Sequence, residues 1–307
     1  MSAAPPAAKS ASATRIPRRA LALLVLLTLI WGTNWALFPI ALREISVWTF
    51  RAVGLPVSGL ALLAVARVRG MPLAVPQADR SRLLAMTLAY MLVWNIASTY
   101  AAILIPSGQG AVLGFTMPLW AALISRVFFG ELLAPRLIVA VVLGVLAIAL
   151  MMAPGYAAYA DAPWGLAAGL LAAIAWAIGT LIIKRHRWST PALVLTGWQM
   201  LLTALPITAG ALVLGDHEWF VPTWQTMLVG AYIVLIPMSI GSVSWFAIVG
   251  LLPPNVAGLS VVMVPVVAMI TGALLHGEPL GPSQVLALLL CIGALSLTLL
   301  KPATQPP

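Results

Sequence analysis

Charged residues are scarce in this chain of 307 residues, which carries 16 Lys and Arg but only 7 Asp and Glu, together 7% of the sequence. A typical soluble protein has roughly 25% charged residues. Hydrophobic residues instead make up 62% of the chain, and the mean hydropathy is +1.07. So few charges cannot cover the surface of a soluble fold. The composition therefore excludes a soluble enzyme, a nucleic-acid-binding protein and a disordered protein, and it predicts a surface that faces lipid.

Cysteine and buried titratable groups are also scarce. The single cysteine, Cys291, lies in an apolar stretch, so the chain can form no internal disulfide, and we interpret Cys291 as a small hydrophobic residue that is buried or faces lipid. The three histidines are scattered in predicted loops, and no Asp or Glu lies in the centre of an apolar stretch. A membrane-embedded enzyme needs a clustered base, nucleophile or metal site. The sequence therefore predicts no catalytic residue, no bound metal and no cofactor.

Long hydrophobic runs are abundant. A helix that crosses a bilayer needs about 20 mostly apolar residues, and these runs are too uniformly apolar for the alternating strands of a membrane barrel. We therefore predict an all-α membrane protein with ten transmembrane helices. The predicted helices occupy residues 20–42, 46–66, 83–103, 107–129, 137–154, 163–183, 192–214, 225–247, 254–275 and 283–300. Residues 1–19 are predicted to be a disordered cytoplasmic tail, and residues 302–307 a short C-terminal tail.

The positions of the basic residues predict the orientation. Cytoplasmic loops carry an excess of Lys and Arg, and with both termini in the cytoplasm every Lys and Arg except Arg43 and Arg51 falls on the cytoplasmic side. The net charge of +9 is therefore interpreted as a topology signal and not as a nucleic-acid-binding surface. Arg51 lies just inside the second run. We expect it to reach the outer interface or to pair with Glu44, and binding of a substrate carboxylate is the alternative.

The two halves of the chain resemble each other. Residues 118–135 align with residues 265–282 without a gap, and both segments share a proline, an alanine, a Gly-Glu pair and a final proline. Each half holds five predicted helices, so the second half must enter the membrane in the opposite orientation. Inverted repeats of this kind are typical of alternating-access transporters. We predict a first repeat over residues 20–154 and a second over residues 155–301.

Several local sequences match a known family. They are Phe50-Arg51 in the second run, residues 90–101 in the third, Pro118 followed by Phe129-Gly130-Glu131, and Pro265 followed by His276-Gly277-Glu278. With these motifs, the chain from about residue 20 to 301 resembles the EamA branch of the drug/metabolite transporter superfamily. Its many tryptophans are most similar to those of the YddG-type aromatic amino-acid exporters. The resemblance implies an inner-membrane exporter with a central cavity between its halves, formed mainly by helices 1, 3, 4, 6, 8 and 9.

Interrupted helices at corresponding places in the two halves are a further guide to a binding site. The fourth run carries Gly114 and Pro118, and the ninth carries Gly258 and Pro265. A proline within a helix removes a backbone hydrogen bond and bends the helix. We therefore predict that these four residues form gates, with a role in packing alone as the alternative. The two Gly-Glu pairs that follow are expected to be loop determinants, such as caps for the fifth and tenth helices.

Polar and aromatic residues that share helix faces are candidates for contact with a substrate. Polar side chains inside a membrane usually face the interior of the bundle. The candidates are Trp31 and Asn34 in helix 1, Met91, Trp94 and Asn95 in helix 3, Gln109 in helix 4, Trp176 in helix 6, and Ser242 and Trp245 in helix 8. The alternatives are packing between helices for the tryptophans and hydrogen bonds between helices for the asparagines.

These observations together predict a transporter that exports small neutral or zwitterionic solutes, in particular amino acids with aromatic or large apolar side chains. Facilitated alternating access is favoured over proton exchange, because proton-coupled carriers commonly use an intramembrane carboxylate. A broad-specificity drug or metabolite exporter is the alternative, and a membrane-embedded enzyme or scaffold is a remote one. The expected partners are a small-molecule substrate and the lipid bilayer, without nucleic acid, and the chain is expected to be a monomer or a weak oligomer.

Overall fold

The computed structural model describes residues 18–131, 135–152, 162–216, 220–251, 254–278 and 280–299. Regular structure in these ranges is entirely helical, and each helix coincides with a predicted run to within a few residues. The helices are α1 (Arg18–Ala41), α2 (Val47–Val68), α3 (Gln77–Leu104), α4 (Ser107–Phe129), α5 (Pro135–Met152), α6 (Pro163–Arg185), α7 (Ala192–Leu214), α8 (224–251), α9 (Pro254–His276) and α10 (Pro282–Leu299). The predicted all-α membrane fold is therefore confirmed.

The lengths and surfaces of the helices suit a bilayer. Within the described residues, seven helices are long and apolar enough to cross a membrane, namely α1 to α4, α6, α7 and α8. Shorter apolar segments lie in α5, α9 and α10. On α1, the side chains of Leu21, Val25 and Leu29 are exposed at intervals of one turn, while Leu24 and Leu27 are buried. An exposed apolar stripe of this kind is expected where a helix faces lipid.

Local sequence explains several helix ends. The Ser46 hydroxyl accepts a hydrogen bond from the Thr49 backbone N–H at 3.1 Å and caps the start of α2. The helices α4 and α9 end in the same way, at Gly130 with φ +67° and at Gly277 with φ +65°. Glycine takes this left-handed conformation without steric cost, and helices commonly end on it. The Gly-Glu pairs found in the aligned segments of the sequence therefore mark two equivalent helix ends.

Both α3 and α8 contain a π-helical segment. The segments are Thr87–Leu92 and Val234–Ile240. When the alignment of the two halves is continued toward the N-terminus without a gap, Thr87 aligns with Val234. A π-segment widens a helix locally and is frequent near functional sites. Several of the candidate residues of α3 and α8 follow these segments directly.

The packing between helices has a two-fold pattern. The main contacts join α2 to α7, α4 to α9 and α5 to α10, while α1 packs on α8 and α9 and α6 packs on α3 and α4. Each helix of the first half has the same set of partners as the helix five places later, once the two halves are exchanged. For example, the contacts of α1 with α8 and α9 correspond to those of α6 with α3 and α4. The predicted repeat boundary at residues 154 and 155 lies outside the described residues, as do most of the predicted tails. Arg18 and Arg19, assigned to the first tail, are the first residues of α1.

The largest core cluster lies where α1, α2, α3, α4, α8 and α9 meet. Its buried aromatic members are Trp35, Phe38, Phe50 and Phe115, and the partly buried Trp94 and Trp176 pack against it. Cys291 lies in a separate cluster with Met269 and Ala287, as a buried thiol with hydrophobic neighbours. Of the candidate residues of the first half, Trp31 and Trp94 pack against this cluster.

Candidate functional site

Four aromatic rings from four helices form one group, which we name the aromatic cluster: Trp35 of α1, Trp94 of α3, Phe115 of α4 and Trp176 of α6. The ring centroids of Trp94 and Trp176 lie 4.7 Å apart, those of Phe115 and Trp176 5.4 Å, and those of Trp35 and Trp94 6.5 Å. These spacings and their tilted or edge-on geometries are the ones that aromatic pairs favour. The structure thus brings together the predicted residues Trp94 and Trp176 and adds two rings that the prediction missed.

Glycines of α4 make room for the cluster. A Cβ atom at Gly110 would lie 3.1 Å from the Trp35 ring, and a Cβ atom at Gly114 would lie 3.2 Å from it. Both contacts would be tighter than ordinary van der Waals contact, so a larger residue at either position would displace the indole. Gly114, predicted as part of a gate, therefore lies directly against the aromatic cluster. The spacing of these two glycines by one helical turn is a sequence signal for a ring that packs on α4.

A line of polar side chains, which we name the polar strip, lies against Phe38 and Phe50 of the same core: Arg51 of α2 with Thr99 and Asn95 of α3. The Arg51 guanidinium donates to the Thr99 hydroxyl from Nε at 2.8 Å and from Nη2 at 2.5 Å. The Thr99 hydroxyl donates in turn to the Asn95 carbonyl at 2.6 Å. Arg51 is only 3% exposed, and its guanidinium lies 5.0 Å from the centre of the Phe38 ring.

The expected placement of Arg51 is therefore wrong. It neither reaches the outer interface nor pairs with Glu44, because this face of α2 points into the bundle toward α3 and α8. Its Nη1 lies 3.5 Å from the Met238 sulfur of α8. The Glu44 carboxylate instead accepts the Thr223 backbone N–H at 2.7 Å and the Thr223 hydroxyl at 2.8 Å. Position near the end of a hydrophobic run suggested a side chain that reaches toward water, whereas helix packing decided its direction.

The two predicted asparagines have different surroundings. The Asn95 amide donates to the Met91 carbonyl at 2.8 Å, within its own helix, and among the described residues its side chain forms no hydrogen bond to another helix. The Asn34 Oδ1 atom is buried and accepts no hydrogen bond from the described residues. Buried polar atoms usually have a partner. Of the two amides, Asn34 is therefore the one with an unused acceptor inside the bundle.

The remaining predicted contact residues lie in other places. Trp31 and Trp245 form a second aromatic pair, with ring centroids 5.9 Å apart, and the Trp31 Nε1 donates to the Pro237 carbonyl at 3.2 Å. The Ser242 hydroxyl donates to the Met238 carbonyl within α8 at 2.7 Å. Met91 is buried in the π-segment of α3. Gln109 lines a small recess at the start of α4, together with Glu278 and Met269.

The two predicted gate prolines are not equivalent. Helix α4 is interrupted at Thr116, whose hydroxyl donates to the Leu113 carbonyl at 2.6 Å, and Pro118 lies in the first turn of the segment that follows. Proline fits the first turn of a helix without distortion. Pro265, in contrast, lies inside the continuous helix α9. Gly258 also lies in α9, in a stretch whose side-chain surroundings fall outside the described residues.

Both halves of the chain match one known family. The model of the EamA-like transporter family matches residues 18–153 and again residues 163–300. The chain belongs to this family. It is therefore a membrane transporter of the drug/metabolite transporter superfamily. The match covers both halves of the fold, so the aromatic cluster and the polar strip lie within family sequence.

Relatives of this EamA-like transporter span nearly its whole length. An uncharacterized transporter of Bacillus subtilis, YvbV, is 24% identical over 92% of both chains. An uncharacterized inner membrane transporter of Escherichia coli, YedA, is 26% identical over 91% of this chain and 92% of its own. An uncharacterized protein of Pseudomonas aeruginosa is 31% identical over 92% and 95%. A crystal structure with 19% identity has the same fold, with a TM-score of 0.64 over 91% of this chain and 96% of that one.

The Gly-Glu pairs of the transporter act differently from the prediction. The Glu278 carboxylate accepts the backbone N–H of Ser107 at 2.7 Å and that of Gly108 at 3.4 Å, so it caps α4 and not α10. The left-handed Gly277 turns the chain back across the start of α4, where unpaired backbone N–H groups favour an anion. Glu131 pairs with Arg185 at the end of α6. His276, expected in a loop, is the last residue of α9 and contacts the Ala36 carbonyl at 2.6 Å.

Carboxylates also join the connections at both ends of the bundle. At one end, the backbone N–H and hydroxyl of Thr223 lower the pKa of Glu44. Burial raises the pKa of Asp216, but its hydrogen bonds with Ser46 and Thr49 outweigh burial and leave that pKa below its ordinary value. At the other end, Asp79 lies 2.9 Å from the His186 ring and accepts from both hydroxyls of a Ser-Thr pair. These acids therefore hold connections together and lie away from the aromatic cluster.

Proposed function

We propose that this EamA-like transporter exports zwitterionic amino acids with aromatic or large apolar side chains, the activity of the YddG-type exporters. The observation that carries the proposal is the aromatic cluster, in which rings from four helices lie next to the polar strip. Aromatic rings stack favourably on one another. The cluster would take the side chain of the amino acid, and the polar strip would take the groups that all amino acids share.

Export by alternating access requires that the cluster be exposed first to one side of the membrane and then to the other. The cluster joins α6 of the second half to α1, α3 and α4 of the first, so movement of the halves would open it. The break at Thr116 in α4 and Pro265 in α9 are places where helices could bend. The two helices pack against each other. These features support a central substrate site whose access changes with the bend of α4 and α9.

Facilitated transport is the proposed energetics. Every Asp and Glu in the described residues lies in a connection or in the first turn of a helix, away from the aromatic cluster. Proton-coupled carriers commonly bind their proton on an intramembrane carboxylate. Net export would then follow the outward gradient of the solute. We further propose the inner membrane as the location, both termini in the cytoplasm, and a monomer or weak oligomer that contacts lipid and solute but no nucleic acid.

The test is counterflow of radiolabelled phenylalanine into proteoliposomes that contain the purified protein. We expect uptake that competes with unlabelled tryptophan and leucine more strongly than with alanine or serine. Protein-free liposomes give the background, and an imposed pH gradient tests coupling. Equal competition by unrelated lipophilic drugs would favour the broad-specificity exporter instead. Uphill accumulation that follows the pH gradient and is abolished by a protonophore would contradict facilitated transport.

A further inference from the structure

Arg51 is a buried charge whose described partners are all neutral. The guanidinium contacts the Thr99 hydroxyl, the Met238 sulfur and the Phe38 ring, and it is 3% exposed. Within the described residues, no carboxylate lies within ion-pair distance of it. A charged side chain inside a membrane bundle is costly and usually has a partner or a function. The structure therefore holds a positive charge in the bundle without a protein counter-charge among the residues described.

The described acids at the end of the molecule where α2 begins are engaged elsewhere. Glu44 accepts two hydrogen bonds from Thr223, and Asp216 accepts the Ser46 backbone N–H at 2.8 Å. The hydroxyl of Thr99 directs its lone pairs at the guanidinium, because its own proton is donated to the Asn95 carbonyl. Thr99 thus holds the guanidinium in place but adds no negative charge. The described residues therefore offer Arg51 no anionic group.

A second buried polar atom without a described hydrogen-bond partner lies on α1. The Asn34 Oδ1 atom is buried and has no partner among the described residues. Asn34 precedes Phe38 by one turn of α1, and Phe38 is the ring over which the Arg51 guanidinium lies. An unused acceptor and a cation without a described counter-charge therefore both lie near Phe38 along α1. This is the arrangement that an ammonium and a carboxylate on one carbon would satisfy.

We propose that Arg51 binds the carboxylate of the transported solute and that the Asn34 Oδ1 accepts a hydrogen bond from its ammonium group. The inference rests on the proposed function and adds the chemical groups that the site requires. The carboxylate replaces Thr99 at part of the guanidinium fork, since a guanidinium matches a carboxylate with two parallel hydrogen bonds. The side chain of the solute then points to the aromatic cluster, because Phe38 and Phe50, the rings beside the Arg51 guanidinium, pack in the same core as Trp35 and Trp94.

The experiment compares analogues of phenylalanine as competitors of labelled phenylalanine counterflow through the wild-type protein. Phenylalaninamide and phenethylamine keep the ring and the amine but lack the carboxylate, and 3-phenylpropionate keeps the carboxylate but lacks the amine. We expect the two compounds without a carboxylate to compete at least about tenfold more weakly than phenylalanine, because hydrogen bonds to charged groups are the stronger class. We expect 3-phenylpropionate to lose less, because a neutral amide oxygen is its only lost partner.

Variants then test which residue binds the carboxylate of the solute. Arg51→Met should abolish the difference between phenylalanine and phenylalaninamide, Arg51→Lys should retain part of it, and Asn34→Leu should weaken phenylalanine but not 3-phenylpropionate. The matched control is Arg43→Met, which removes an exposed arginine from the same end of the molecule and should leave the competition unchanged. Thermal unfolding of each purified variant verifies that it is folded.

The outcomes separate the two proposals. Counterflow of phenylalanine with equal competition by phenylalaninamide would overturn the role of Arg51 and leave amino-acid transport standing, and this comparison needs no variant. If a folded Arg51→Met protein still discriminated between phenylalanine and phenylalaninamide, the proposed role of Arg51 would be overturned as well. Binding of small carboxylates that depends on Arg51, without any preference for aromatic compounds, would support Arg51 and contradict the aromatic substrate. Failure of every carboxylate to compete would overturn both.

Discussion

Two groups of tryptophans lie along α1, and they differ in what surrounds them. Trp35 belongs to the aromatic cluster, which packs on two glycines of α4 and shares a core with Phe38 and Phe50, the rings beside Arg51. One turn earlier, Trp31 pairs with Trp245, and these rings pack with Leu24, Leu27 and other aliphatic residues. The same residue type on the same helix therefore packs among rings of other helices in one case, and against a single ring and aliphatic residues in the other. Under the proposed function the first group would contact solute, whereas the second joins α1 to α8.

The difference between the surroundings of Trp35 and Trp31 follows from one position in each half of the chain. When the two halves are aligned without a gap, Trp94 of α3 corresponds to Gly241 of α8. The ring of Trp94 reaches Trp176 of α6, whereas a Cβ atom at Gly241 would lie 2.5 Å from the Trp31 indole nitrogen. The second half therefore lacks a ring of its own at this position, and the indole of Trp31 occupies the space. The two halves share a fold but do not offer two copies of one site.

The largest effect is expected from filling that space. Gly241→Ala places a methyl group against the Trp31 indole, which must move and lose its hydrogen bond to the Pro237 carbonyl. Overpacking of this kind costs about 1–3 kcal/mol of stability, to be measured as a lower midpoint of thermal unfolding in detergent. Gly230→Ala is the control, because its nearest neighbour would be the Phe50 ring at 3.6 Å. Equal stability of the two variants would contradict the claim that the Trp31 indole fills the space beside Gly241.

A somewhat smaller effect is expected from the aromatic cluster. Trp94→Leu should raise the KM for phenylalanine and tryptophan by roughly three- to tenfold while changing the KM for alanine little, because ring stacking contributes about 0.5–1.5 kcal/mol beyond area burial. Trp245→Leu, in the second group, should leave the ratio of these KM values unchanged. Counterflow kinetics in proteoliposomes measure both. If the Trp245 variant lost the aromatic preference and the Trp94 variant kept it, the roles of the two groups would have to be exchanged.

Replacement of the proline in α4 and replacement of the proline in α9 should slow counterflow to different extents. Pro265→Ala restores a backbone donor inside α9 and should slow counterflow, since the helix loses a place where it can bend. Pro118→Ala should have a weaker effect, because this proline lies in the first turn after the break at Thr116. The measurement is the initial rate at saturating substrate, normalised to the amount of inserted protein. Equal slowing by both changes would restore the prediction of two equivalent gates.

The smallest effect is expected at the connections, far from both groups. The pKa of Glu44 is lowered from 4.5 in the folded protein, so its contribution to stability is present above that pH and is lost as pH falls through the folded value. Glu44→Gln should flatten the loss of thermal stability below about pH 4.5. Its substrate preference at neutral pH should equal that of the wild type. A changed preference would mean that this connection is coupled to the aromatic cluster.

Part of the candidate site could be predicted from helix faces. Trp94 and Trp176 were singled out as rings beside polar residues, and the structure brings them together. Trp35 and Phe115 were missed, since periodicity assigns a residue to a face of its helix but not to a neighbouring helix. Arg51 was expected at the interface, because its position along the run was known while the direction of its helix face was not. Glu278 was expected to cap the helix that follows it, and only the folded chain brings it to α4.

The sequence by itself determined that the chain is a bundle of membrane helices. Uniformly apolar runs have no other way to satisfy their backbone groups in lipid, so length and composition were sufficient. The paired Gly-Glu motifs likewise predicted equivalent helix ends, because the conformation of glycine is a local property. Only the tertiary structure decided which tryptophans meet, where Arg51 points and which halves of the repeat differ. These contacts join residues that are far apart in the chain, and they depend on whether an opposing helix offers a glycine or a side chain at the point of contact.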